Sequence, residues 1–253
     1  MRDLALALRQ VRYENRAFWR NPAAAFFTFA FPLIFMVIFN VIFADEGEGP
    51  FRASDFFTPS IIVFSVISAT YTNIAMTVAI DRDRGVLKRV RGTPLPAWAF
   101  LFGRIGHAVL IALLLVAIVA AFGAFFYDVR FPWGRSGELV LTLAIGAASF
   151  CALGLAVSAL LPNAEAAPAV VNASILPLLF ISNVFIRLED PPAWMDAVGG
   201  FFPVRPFADS MQAVYNPQMA GGGLDWRDLA VVAAWSLAGV LVSLRFFRWE
   251  PRR

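Results

Sequence analysis

Apolar residues in this chain gather into long runs separated by short polar stretches. Six runs, at 23–43, 59–80, 100–126, 138–161, 168–186 and 229–247, come close to or exceed the about 20 residues that a helix needs to cross a bilayer. The third is long enough to tilt or to begin at the interface. The fifth is the shortest and contains Pro177; Pro177 and Pro32 each remove a backbone donor inside a run and predict local kinks. Residues 1–22 have a different period. Leu4, Leu8, Val11, Asn15 and Phe18 fall on one face of a helix, and Arg2, Arg9, Arg12, Arg16 and Arg20 lie largely elsewhere. This predicts an amphipathic helix on the inner leaflet, with Trp19 and Arg20 at the headgroups, broken by Asn21-Pro22 before the first span.

The polar stretches are unequal. The longest, 187–228, is acidic yet carries Pro191-Pro192, Trp194, Met195, Phe201-Phe202-Pro203 and Phe207, so it should fold back into the outer leaflet as one or two short helices, with Ala208 to Tyr215 as one candidate. The densest in charge is Asp81-Arg82-Asp83-Arg84-Gly85-Val86-Leu87-Lys88-Arg89-Val90-Arg91, between the second and third spans. The predicted architecture is an all-α membrane protein. Residues 1–22 form an interfacial helix, and 23–253 form one six-span domain with a charged segment at 81–96 and an outer loop at 187–228.

Composition agrees, with 59% hydrophobic residues and a mean hydropathy of +0.68. Charge sets the orientation. Both termini and the 81–104 region hold most of the 21 Lys and Arg, whereas the intervening loops hold most of the 18 Asp and Glu. The positive-inside rule therefore places both termini and the charged segment in the cytoplasm. The same placement explains the net charge of +3 without nucleic acid. A single cysteine, Cys151, leaves no disulfide framework within the chain.

Chemistry-bearing motifs are missing. One histidine (His107) and one lysine (Lys88) occur, with no HExxH, CxxC, GxSxG or GxxxxGK[ST]. No metal site is expected, and the chain cannot hydrolyse ATP through a phosphate loop of its own. Span interiors carry neutral polar groups in place of the carboxylates or basic residues that ion-coupled carriers commonly hold. Among them, Ser65, Ser68 and Thr72 share a face of the second span; Gly154 and Ser158 share one in the fourth, and Trp235, Gly239 and Ser243 one in the sixth. Such faces either pack helices through small residues or, for Ser65, Ser68 and Thr72 with Asn172, Ser182 and Asn183, line a translocation path or a dimer seam.

Three stretches, in this order and topological placement, carry a resemblance. They are Asp81-Arg82-Asp83-Arg84-Gly85 running to Gly92-Thr93-Pro94, Ile181-Ser182-Asn183-Val184-Phe185 followed by Pro191, and Phe202-Pro203-Val204-Arg205-Pro206-Phe207-Ala208-Asp209. With six spans and an amphipathic N-terminal helix, the chain resembles the permease subunit of an ABC-2 type exporter. It departs from the family pattern with Asp for Glu at 81 and 83, Lys88 for an acid, Asn183 for Gly, Arg187 for Pro and Arg104 for Lys.

The resemblance implies a bacterial inner-membrane protein that works as a dimer, two copies of this chain or a copy and a sister permease. A separate cytoplasmic ABC ATPase would bind ATP and Mg, leaving this chain without a cofactor and not itself an enzyme. The ATPase would dock on a coupling helix from about Arg82 to Arg91, with Val86, Leu87 and Val90 as apolar anchor, the alternating charges setting orientation and Gly92 and Pro94 ending the helix. Aromatic, weakly polar spans favour an amphipathic drug, a lipid or a lipid-linked molecule as cargo. The rival expectations are a gradient-driven carrier or small channel, an intramembrane enzyme, and a scaffold without transport.

Overall fold

A computed structural model describes residues 2–43, 52–93, 95–186, 191–218 and 223–247, with the side chains of 2–4, 91 and 97 aside. Among these residues the chain is helical throughout, with no strand. Helix α1 (Arg2–Trp19) leads into α2 (Pro22–Ile42). At that junction the Asn21 side chain accepts the Ala24 N–H at 3.2 Å, and Pro22 occupies the first turn, where a missing N–H costs nothing.

The second span is longer than its apolar run. Helix α3 (Ala53–Ile67) continues through a π-helical turn (Ser68–Thr72) into α4 (Asn73–Asp83), giving one 31-residue rod. It begins six residues before the expected 59 because the Asp55 carboxylate accepts the Arg52 N–H at 2.9 Å and starts the helix early. This rod is the axis of the fold. Ile61, Ile62, Ile67, Leu115, Val119, Phe150, Phe207 and Met211 form one buried cluster around it.

Next come α5 (Val86–Arg91), α6 (Ala97–Tyr127), α7 (Ser136–Leu160), α8 (Ala167–Phe180), α9 (Ala193–Phe201), α10 (Val204–Tyr215) and α11 (Trp226–Phe246). Five helices are long and apolar enough to cross a membrane: α2, the α3–α4 rod, α6, α7 and α11. The expected fifth span, 168–186, is different. Helix α8 has 14 residues, a rise of about 21 Å against the about 30 Å of a hydrocarbon core. The chain leaves the helix at a turn in which Asn183 takes the left-handed conformation (φ 54°).

Small residues set the helix spacing. A Cβ on Gly239 would come within 2.9 Å of the Ala152 backbone carbonyl carbon, so α11 lies directly on α7, and one on Gly154 would come within 2.8 Å of the Tyr71 carbonyl oxygen. Of the two readings of the small-residue faces, close packing describes these glycines. Helices α9 and α10 occupy the aromatic loop before α11. Helix α10 is drawn into the core through Val204, Phe207, Met211 and Val214.

Helix α1 keeps most of its expected face and turns slightly from it: Val11, Asn15 and Phe18 are partly covered, but Leu8 is exposed, Ala7 is fully buried, and Gln10 and Glu14 are partly covered. Gln10 and Val11 sit against Gly103 and Gly106 of α6, where any Cβ would overlap them. The reason is polar: this register brings Glu14 to Arg104. Counting apolar positions alone misses it.

Candidate functional site

The densest charge in the chain lies where three structural units meet. Helix α4 ends at Asp83, and the chain reverses at Gly85, whose φ of 69° costs glycine nothing and other residues about 1 kcal/mol or more. Helix α5 then runs to Arg91, and Thr93 closes it by donating its hydroxyl to the Val90 carbonyl at 2.7 Å. The expected single coupling helix from Arg82 is therefore two pieces on either side of a left-handed hinge.

Three residues before the hinge point inward. Arg82 is 2% exposed; Nη1 donates to the Ser158 carbonyl at 2.9 Å and Nη2 to the Leu161 carbonyl at 2.7 Å. Those carbonyls belong to the end of α7, where intrahelical partners run out, so the guanidinium caps that helix. The Asp83 carboxylate accepts the Ala164 N–H in the α7–α8 turn. Asp81 pairs with Arg104, which also pairs with Glu14 at 3.4 Å, and Gln10 donates to Glu14 at 3.1 Å. Asp81, Arg82 and Asp83 thus tie the end of α4 to α6, α1, α7 and the turn after it.

Around the hinge the outward surface is cationic. Arg84, Lys88 and Arg89 are exposed, whereas the acids are turned inward, so the segment presents one sign of charge in place of the expected alternation. Leu87 is fully buried among Ile74, Val78, Phe100 and Leu155 and anchors α5 to its own core. Val86 and Val90 remain partly exposed. The Arg91 side chain and Pro94 lie outside the described residues, as do Arg187, Leu188, Glu189 and Asp190.

The neutral polar residues separate into different surroundings. Ser65 is buried and donates to the Ile61 carbonyl at 2.7 Å. Ser68 and Thr72 bracket the π-helical turn and are partly exposed. Within that turn the Tyr71 hydroxyl meets Ser174 of α8 at 2.6 Å. Asn172 is exposed on α8, while Ser182 is buried and its hydroxyl has no hydrogen-bond partner among the described residues. Asn183 donates to Asp209 at 3.3 Å, and its carbonyl accepts from Ser60 at 3.4 Å. The six differ in exposure: Ser65 and Ser182 are buried, Ser68, Thr72 and Asn183 are partly exposed, and Asn172 is exposed.

A polar seam on α10 was not singled out in the sequence, although its spacing is readable there. Arg205, Asp209, Gln212 and Asn216 follow helical spacing along one stripe. Gln212 donates to the Phe56 carbonyl at 2.8 Å, and Asn216 donates to the Asp55 carbonyl at 2.6 Å, binding α10 to the start of α3. Arg205 pairs with Asp196 at 2.8 Å and Asp209 at 3.5 Å. Burial raises the Asp209 carboxyl above its ordinary value, opposed by Asn183 and Arg205. His107 is buried beside the Phe18 ring at 5.4 Å. No cluster of three possible metal ligands occurs among the described residues.

The sequence profile of the ABC-2 type transporter family matches residues 8–216, from the face of α1 through the end of the α10 seam. The chain belongs to the ABC-2 type transporter family. Among its relatives, the putative transport permease YvfS of Bacillus subtilis is 23% identical over 233 residues, covering 91% of this chain and 92% of that protein. The daunorubicin resistance ABC transporter permease protein DrrB1 of Streptomyces coeruleorubidus is 28% identical, covering 86% of this chain and 77% of its own. The probable multidrug ABC transporter permease YbhR of Escherichia coli is 26% identical over 63% of this chain, and the match spans 43% of that longer protein. With five apolar helices of sufficient length, this member of the ABC-2 family is a multi-pass membrane protein.

Proposed function

We propose that this chain is the transmembrane permease subunit of an ATP-driven exporter, and that α5 is the contact for a separate cytoplasmic ABC ATPase. The observation that carries the reading is the junction at Asp83–Val86. A cationic surface of Arg84, Lys88 and Arg89 stands beside a hinge whose membrane side is tied to α1, α6 and α7. Force applied to α5 would reach the end of the α3–α4 rod directly, because Leu87 and the Arg82 cap leave little slack. An acidic groove on the ATPase would complement the three cations, with Val86 and Val90 as the apolar part of the contact.

The unit would be a dimer of permeases with two ATPases, lying in the bacterial inner membrane with both termini in the cytoplasm. ATP and Mg would sit in the ATPase. The cargo would be an amphipathic drug, a lipid or a lipid-linked molecule; the names of DrrB1 and YbhR, a daunorubicin resistance protein and a probable multidrug permease, support that class. The test is charge reversal of Arg84, Lys88 and Arg89 to Glu. ATPase co-purification and ATP-driven export in vesicles are expected to fall at least about tenfold while the permease stays folded. Unchanged co-purification, or export that persists without ATP and collapses with the proton gradient, overturns the reading.

A further inference from the structure

Helices α9, α10 and the first turns of α11 enclose a cleft of about 700 Å³ at the end of the fold away from α5. Its walls carry Asp196, Arg205, Asp209, Arg227, Asp228 and Trp235. Arg205 is already spanned by Asp196 and Asp209. Arg227 and Asp228 are different. Among the described residues neither forms an ion pair with another side chain, so the cleft keeps one available cation beside one available carboxylate. Trp235 is held in place: its indole N–H donates to the Phe201 carbonyl at 2.7 Å, and its ring stacks on Phe202 at 5.5 Å. Phe201 lines the cleft, and Trp194 on α9 and Trp226 at the start of α11 are exposed as well, the kind of aromatic side chains found at a membrane–water interface. A mixed-charge cleft with an aromatic wall, beside the first turns of the apolar α11, is complementary to a ligand carrying both charges and an apolar tail.

We propose that this cleft binds the headgroup of a zwitterionic phospholipid, with the phosphate on Arg227 and the ammonium against Asp228 and Trp235. The volume falls in the range of small-molecule sites and accommodates a headgroup with its glycerol. An anionic lipid would satisfy Arg227 but bring no cation to Asp228. A bare organic cation would leave Arg227 unmatched. The ammonium gains both a carboxylate and an aromatic face. The site depends on the membrane placement of α11 and is independent of ATP-driven export.

The experiment uses the full chain in nanodiscs of phosphatidylethanolamine and phosphatidylglycerol in equal parts, with retained lipid counted by native mass spectrometry. Phosphatidylethanolamine should be retained preferentially, and Arg227→Gln and Asp228→Asn should each weaken retention about tenfold. On the unaltered protein, soluble glycerophosphoethanolamine should displace the bound lipid, and inorganic phosphate or ethanolamine alone should not. Equal retention of the two lipids overturns the proposal, as does displacement by inorganic phosphate. Sensitivity to Asp228→Asn without sensitivity to Arg227→Gln would mean that the cleft reads only a cation, and also overturns it.

Discussion

Arg82 shows how a single residue can be misread from its neighbours in sequence. It sits in the most charged stretch of the chain, yet it is spent inside the protein on two carbonyls at the end of α7. Arg82→Ala would leave both carbonyls without that donor and open a void where a long side chain was. The expected loss is about 3 kcal/mol, read as a drop in unfolding midpoint in detergent. Arg82→Lys should restore only part of it, because an ammonium cannot reproduce the fork that spans two acceptors. Asp209 offers a test with the opposite sign. Burial raises its carboxyl, so the folded state holds its proton to higher pH than the unfolded chain does. Stability should therefore decline as pH rises from the ordinary value of 3.8 through the raised one, and Asp209→Asn should flatten that decline. Melting curves of both proteins between about pH 4 and pH 7 decide it; parallel curves would remove burial as the cause.

At the scale of elements, the contact between α1 and α6 is the most informative. An interfacial helix held only by lipid would tolerate bulk at Gly103. Here Gly103 lies against Gln10 and Gly106 against Val11, and the Glu14–Arg104 pair fixes the register. Gly103→Leu should push α1 off α6 and release Arg104 from Glu14, at about 2 kcal/mol. Trypsin cleavage after Arg9 and Arg12 in inside-out vesicles should then accelerate; an unchanged rate would show that lipid rather than α6 holds the helix. The same contact helped by Asp81 joins α1 to the α3–α4 rod, so the N-terminal helix is part of the junction and more than a lipid anchor.

At the scale of the molecule, the described surface is too apolar in one respect and too polar in another. In the apolar stretches of α2 and α11 only 22% of the residues are buried, which suits lipid contact. Asn172 is the exception: an amide exposed on the apolar α8, where lipid offers it no partner. A second copy of the chain covering α8 would remove that cost. In a Cys151→Ala background, Asn172→Cys should yield a covalent dimer on mild oxidation of native membranes. Only monomer would place the seam elsewhere or exclude it.

Much of this protein could be read from its residues in order, because the determinants are local. Runs of apolar residues fix where helices can cross a bilayer, Asn21-Pro22 fixes a helix start, and the distribution of Arg and of Asp and Glu sets the expected orientation. The ABC-2 resemblance also rests on short stretches in a fixed order, and the family match agrees with it. What needed the tertiary structure were the pairings between distant parts of the chain. Sequence spacing cannot tell that Asp81 meets Arg104, that Arg82 caps α7, or that Leu87 turns inward while Arg84, Lys88 and Arg89 stay out. Nor does apolar content reveal that α8 stops at Phe180, because hydropathy continues through 186 while the backbone turns at Asn183. Hydrophobicity is a property of each residue and survives in a one-dimensional reading. Charge pairing and capping depend on which groups the fold brings within about 3 Å of each other, and only the packed chain decides that.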